Sequence, residues 1–119
     1  MSTYAINAEQ FDKFIQEKEL LFIDFWAKWC APCMQFTKIY EQVAKQNPQI
    51  TFAKVNVEEE KDLSDNLQIL SIPHLMVFKQ GILIYSESGA MPESTLKDLV
   101  KQALEADVCE IREKLDKEG

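Results

Sequence analysis

The most apolar stretch of the chain, Leu20 to Trp26, is a run of aliphatic and aromatic side chains interrupted once, by Asp24. Seven residues are too few for a stable helix but suit a strand buried on both faces. Before it, Tyr4-Ala5-Ile6 predicts a short extended start. Asn7 is placed to cap a helix in which Phe11, Phe14 and Ile15 recur at helical spacing to about Glu19. After it, a turn over Ala27 to Pro32 leads into a helix from Cys33 to Gln46, which Asn47-Pro48 stops. Ile50 to Val57 predicts a second strand and Glu58 to Leu67 a short acidic helix. A strand–helix–strand order requires these two strands to run parallel. Leu75 to Lys79 and Ile82 to Ser86 flank Gln80-Gly81, which predicts a tight antiparallel hairpin. Pro92 opens a last helix carrying Leu96, Val100, Leu104, Val108, Ile111 and Leu115 on one stripe. The pattern therefore describes an α/β domain over 1–119, a mixed central β-sheet with helices on both faces.

Composition narrows the chemistry. At 119 residues the chain supports one domain and argues against two. Its 20 acidic residues against 13 basic give a formal charge of -7, which phosphate backbones and anionic headgroups repel. Nucleic acid and membrane surfaces are thus not expected partners. Neither a secretory signal nor an apolar run long enough to span a bilayer is visible, so a cytoplasmic, reducing compartment is the expectation. In such a compartment the paired cysteines, two of the chain's three, read as reactive or metal-binding groups rather than as a structural staple.

Two of those cysteines, Cys30 and Cys33, bracket Ala31-Pro32 between the buried strand and the following helix. The first turn of a helix has unpaired N–H groups and a positive dipole end, both of which stabilise a thiolate. Cys30, at the mouth of the turn, is the expected nucleophile. Cys33, one turn in, can reach back and resolve a mixed disulfide. Pro32 suits this first turn because its φ is already near helical and it needs no N–H partner. The competing reading is half of a zinc site. It is disfavoured, because only Cys109, His74 and scattered carboxylates remain as further ligands.

The stretch Asp24-Phe25-Trp26-Ala27-Lys28-Trp29-Cys30-Ala31-Pro32-Cys33 resembles the active-site segment of the thioredoxins. Ile72-Pro73, 40 positions after Cys33 and just before an apolar strand, is similar to the family's segment whose cis proline faces the dithiol. Lys79-Gln80-Gly81 and Gly89-Ala90 match its later turn and glycine positions, so the similarity runs from about Phe11 to Leu104. The resemblance implies a thioredoxin fold and a protein-disulfide reductase working by dithiol/disulfide exchange at Cys30 and Cys33. It further implies no bound cofactor, disulfide-containing proteins as substrates, and electrons from NADPH delivered by a thioredoxin reductase. Two other readings compete: a disulfide oxidase or isomerase, and a binding module on this fold with incidental redox activity.

Each supporting residue has a plainer alternative. A carboxylate inside an apolar strand is costly and tends to stay protonated, and the resemblance implies that Asp24 passes protons to and from Cys33. The alternative, an outward-pointing strand residue, fits poorly between Ile23 and Phe25. Lys54, the only charge in its strand, matches the family's lysine near that Asp, or else is a strand lysine reaching solvent. Base rates favour a trans bond at Pro73, and only the resemblance implies cis. A cis bond would leave the Ile72 backbone free to pair with an extended substrate, with Trp29, Ile72, Pro73, Gly89 and Ala90 as the docking patch. Trp26 is expected to pack in the core. His74, which departs from the family pattern, is expected to be a partly exposed neighbour, with redox tuning as its rival role. Ala31 replaces the usual glycine between the cysteines. Cys109 points away from the last helix's apolar stripe and should be an exposed bystander. A monomer is expected, with association through residues 105–119 or Cys109 as the alternative.

Overall fold

The strand foreseen around Asp24 lies at the centre of the sheet. The structure, a computed structural model, describes residues 2–108. In chain order these form β1 (Tyr4–Ala5), α1 (Ala8–Glu17), β2 (Leu20–Trp26), α2 (Ala31–Gln46), β3 (Thr51–Asn56), α3 (Lys61–Asn66), β4 (His74–Lys79), β5 (Ile82–Ser88) and α4 (Glu93–Glu105). The strand order is β1-β3-β2-β4-β5. β3 pairs parallel with both β1 and β2, whereas β4 pairs antiparallel with β2 and β5. The sheet is mixed, as the element order requires.

Strand alternation divides the apolar residues between two cores. Phe22, Phe52, Leu75 and Val77 face α2 and α4, where they meet Phe36, Tyr40, Val43, Leu96 and Val100. Leu21, Ile23, Phe25, Val55, Met76 and Phe78 face the other way, against Phe11 of α1 and Leu63 of α3. β2 is buried on both sides, which explains why its sequence is nearly all apolar.

Local chemistry sets the boundaries. The Asn7 side chain accepts from Gln10 N–H at 2.9 Å, and the Gln10 side chain accepts from Asn7 N–H at 3.0 Å, forming a capping box at α1. α3 is shorter than the expected Glu58 to Leu67. The Asn56 side chain accepts the Glu58 N–H, and the Asn56 carbonyl accepts the Glu60 N–H, folding that stretch into a turn. In the β4–β5 hairpin Gln80 and Gly81 both have positive φ, 51° and 81°, as a type I′ turn demands.

The last helix departs from expectation. α4 ends at Glu105, and Ala106 turns extended at φ -62°, ψ 136°. The Lys79 ammonium, buried at the end of β4, donates to the carbonyls of Ala103, Leu104 and Ala106 at 2.8, 2.9 and 2.8 Å. A cation bonded to the last carbonyls ends the helix by satisfying the groups that a further turn would have used. The continuous stripe is broken accordingly: Leu104 is 48% exposed, while Val108 is buried. Cys109, Ile111 and Leu115 lie outside the described residues.

Candidate active site

The end of β2 turns through residues 27–30 directly into α2, which sets the two cysteines one helical turn apart. Cys30 is the N-cap of α2 and Pro32 sits in its first turn. The helix therefore begins at Ala31, two residues earlier than the sequence pattern suggests. Cys30 and Cys33 are joined as a disulfide with their Cα atoms 5.2 Å apart. The Cys33 N–H points at Cys30 Sγ at 3.2 Å, so a sulfur of the pair already accepts from the free amide of the first turn. That amide and the helix dipole are the groups that stabilise a thiolate at Cys30. Both cysteines are buried in a small cluster with Ala27, against which Trp26, Val57 and Ile72 pack. Trp29 stands out beside them, 70% exposed.

The loop before β4 closes on the same point. The Ile72–Pro73 bond is cis, and Ile72 O lies 3.8 Å from Cys30 Sγ. Gly89, at φ 109°, donates its N–H to Pro73 O at 2.8 Å, tying the end of β5 to this loop. A residue other than glycine would be strained at that φ. Ala90 follows it on the surface. Trp29, Ile72, Pro73, Gly89 and Ala90 thus lie on three loops, of which the one before β4 is tied to Gly89 and brings the Ile72 carbonyl to Cys30 Sγ.

Beneath the helix lies Asp24, wholly buried, with neither carboxylate oxygen hydrogen-bonded. Burial pushes its pKa up from 3.8 to about 7, and the Lys54 charge only partly opposes this. Lys54 is its register partner on β3. Its ammonium lies 3.5 Å from Glu41 Oε1 of α2 and 5.7 Å from the centre of the Trp26 ring. Trp26 is therefore only half-buried and doubles as a face for this cation, beyond the packing role expected of it. Tyr40 of α2 is buried and donates to Ala53 O at 2.9 Å; burial and the nearby Asp24 charge raise its pKa. The sequence pattern did not single out Tyr40 or Glu41. Tyr40 follows Phe36 by four positions on the inner face of α2, a spacing that could have placed it there. Glu41 carries no such signal.

His74 is half-buried at the start of β4, its Nε2 2.8 Å from Ser86 Oγ and its ring edge-on to Phe25. Burial lowers its pKa from 6.5, against the opposing pull of Glu87. Among the described residues no group of three or more His, Cys, Asp or Glu side chains is placed to hold a metal ion, and no helix is long and apolar enough to cross a membrane. Ala31, between the cysteines, is exposed in the first turn of α2.

A disulfide at a helix start, against a cis-proline loop, exchanges dithiol for disulfide, so the fold and site define a disulfide oxidoreductase. Comparison with known proteins agrees. The Thioredoxin family model matches residues 2–102. "Putative thioredoxin 2" of Streptomyces coelicolor is 40% identical over 111 residues, covering 93% of this chain and 83% of that protein. Thioredoxin-1 of Saccharomyces cerevisiae is 33% identical over 106 residues, covering 89% and 98%. A solved structure of Plasmodium falciparum thioredoxin superposes with a TM-score of 0.78 at 32% identity, covering 84% of this chain and 98% of that one. The chain belongs to the thioredoxin family.

Proposed function

We propose that the exchange runs toward reduction of disulfides in other proteins. The observation that carries this reading is the placement of Cys30 Sγ, beside the Cys33 N–H in the first turn of α2 and the Ile72 carbonyl, on a domain whose buried Asp24 is left unpaired. In the reduced state the Cys30 thiolate attacks one sulfur of a substrate disulfide, forming a mixed disulfide and releasing the other sulfur as a thiolate that takes up a proton. Cys33 then loses its proton to Asp24 and attacks Cys30 Sγ. The second substrate sulfur leaves as a thiol, two electrons have passed to the substrate, and Cys30 and Cys33 are a disulfide again.

An Asp24 carboxyl with its pKa near 7 can both accept and return that proton at neutral pH. Lys54 supports its ionised form. An extended substrate segment pairs with the Ile72 backbone, as in strand addition, against Trp29, Pro73, Gly89 and Ala90. The patch is apolar, which suits a chain whose charge of -7 offers little attraction to acidic partners. Family membership supports recharging by a thioredoxin reductase with electrons from NADPH, an exchange that needs no resident cofactor. A cytoplasmic location is consistent with a dithiol kept reduced.

The Cys33→Ser variant tests this reading. Incubated with a disulfide-bonded protein under non-reducing conditions, it should accumulate a covalent mixed disulfide through Cys30 and lose turnover. Turnover that survives the substitution would sink the two-cysteine mechanism.

A further inference from the structure

We propose that Glu41 is a positioning residue for the exchange reaction: by holding the Lys54 ammonium out toward α2, it leaves the Asp24 carboxyl without a partner. The inference rests on the reading above, in which Asp24 exchanges a proton with Cys33.

Asp24 and Lys54 are direct neighbours across β2 and β3, and parallel register sends both side chains to the same face of the sheet. An aspartate and a lysine so placed are within reach of an ion pair, because the four-carbon stem of lysine can fold back over its strand as easily as extend from it. Here it extends. The ammonium lies at Glu41 Oε1, 3.5 Å away, and over the Trp26 ring, while both Asp24 oxygens are buried with no hydrogen bond. Glu41 is itself held in place, since the same Oε1 accepts the hydroxyl of Thr3 just ahead of β1. Three segments of the chain thus converge to fix one carboxylate, and that carboxylate competes with Asp24 for the nearest cation.

The other groups facing Asp24 do not take over this role. From α2 comes Tyr40, whose hydroxyl donates to Ala53 O; from β4 comes the apolar Leu75. The sign follows directly. Neutralising Glu41 frees the Lys54 ammonium to approach Asp24, and a nearer positive charge favours the ionised carboxylate.

The test is an NMR titration of the Asp24 carboxyl carbon in the wild-type chain, Glu41→Gln, Lys54→Met and the double variant. Glu41→Gln should lower the midpoint by about half a pH unit or more. In the Lys54→Met background the same substitution should produce less than half of that shift. An unchanged midpoint in Glu41→Gln overturns the proposal. So does an equal shift in both backgrounds, which would mean that Glu41 acts by its own charge alone. Lys54→Gln replaces Lys54→Met if the latter does not fold. Failure of the underlying reading looks different: the Cys33 resolution rate in Asp24→Asn would keep its wild-type pH profile while the Glu41→Gln titration still moved.

Discussion

Asp24 and Lys79 sit at opposite ends of the β2–β4 pair, Asp24 across from Leu75 and Lys79 across from Leu20. Both are buried charges in the middle of a sheet, yet they are treated in opposite ways. Lys79 donates to three carbonyls, whereas neither oxygen of Asp24 has a partner. A buried charge with all its hydrogen bonds made anchors structure; one with none resists ionisation and holds its proton to near neutral pH. The sheet therefore has a fastened end, where β4 grips α4, and an uncompensated end, where the exchange chemistry lies.

The comparison is sharpest at Asp24 itself. A carboxyl whose pKa rises from 3.8 unfolded to about 7 folded penalises the native state once it ionises. The penalty is absent below pH 4, grows through the interval, and reaches roughly 4 kcal/mol above pH 7. Asp24→Asn should thus stabilise the chain by about that amount at pH 8 and by nothing at pH 4, read from urea unfolding at both pH values. A variant no more stable than wild type at pH 8 would break the contrast. At the fastened end the sign reverses. Lys79→Met should cost about 3 kcal/mol by stranding the carbonyls of α4, with little pH dependence between 5 and 8, by the same measurement. The smallest change belongs to the hairpin next to Lys79. Gly81→Ala should cost about 1 kcal/mol, because φ 81° is poorly tolerated with a Cβ although the nearest atom, Ile15 O, is 3.9 Å away. Its exchange rate should match wild type, since the substitution lies at the far end of the sheet.

Much of this was legible in the sequence, for reasons that differ by region. β2, the Gln80-Gly81 turn and the placing of Cys30 at the mouth of a helix are written in contiguous residues, where periodicity, turn chemistry and helix-start geometry act locally, although the first helical residue is Ala31 rather than Cys33. The cis bond at Pro73 was not readable from base rates and came only with the family resemblance. The end of α4 was misjudged because alanine at 106 is the best of helix formers, and nothing nearby stops the helix. What stops it is a lysine 27 positions earlier, and propensity yields to that tertiary contact. Glu41 was invisible for the same reason. A glutamate on a helix looks solvated until the strand carrying Lys54 is laid against it.

The interruption of β2 by Asp24 has a consequence before the fold exists. β3 and β4, the strands that flank β2, follow it by 25 residues or more in the chain, so during synthesis the run Leu20 to Trp26 emerges with neither neighbour available. A seven-residue segment of high β-propensity without charge is the kind that stacks with copies of itself. In the unfolded chain Asp24 is solvated and fully ionised at neutral pH, and every such stack would bring identical negative charges into register. The residue that burdens the finished protein guards the nascent one against aggregation.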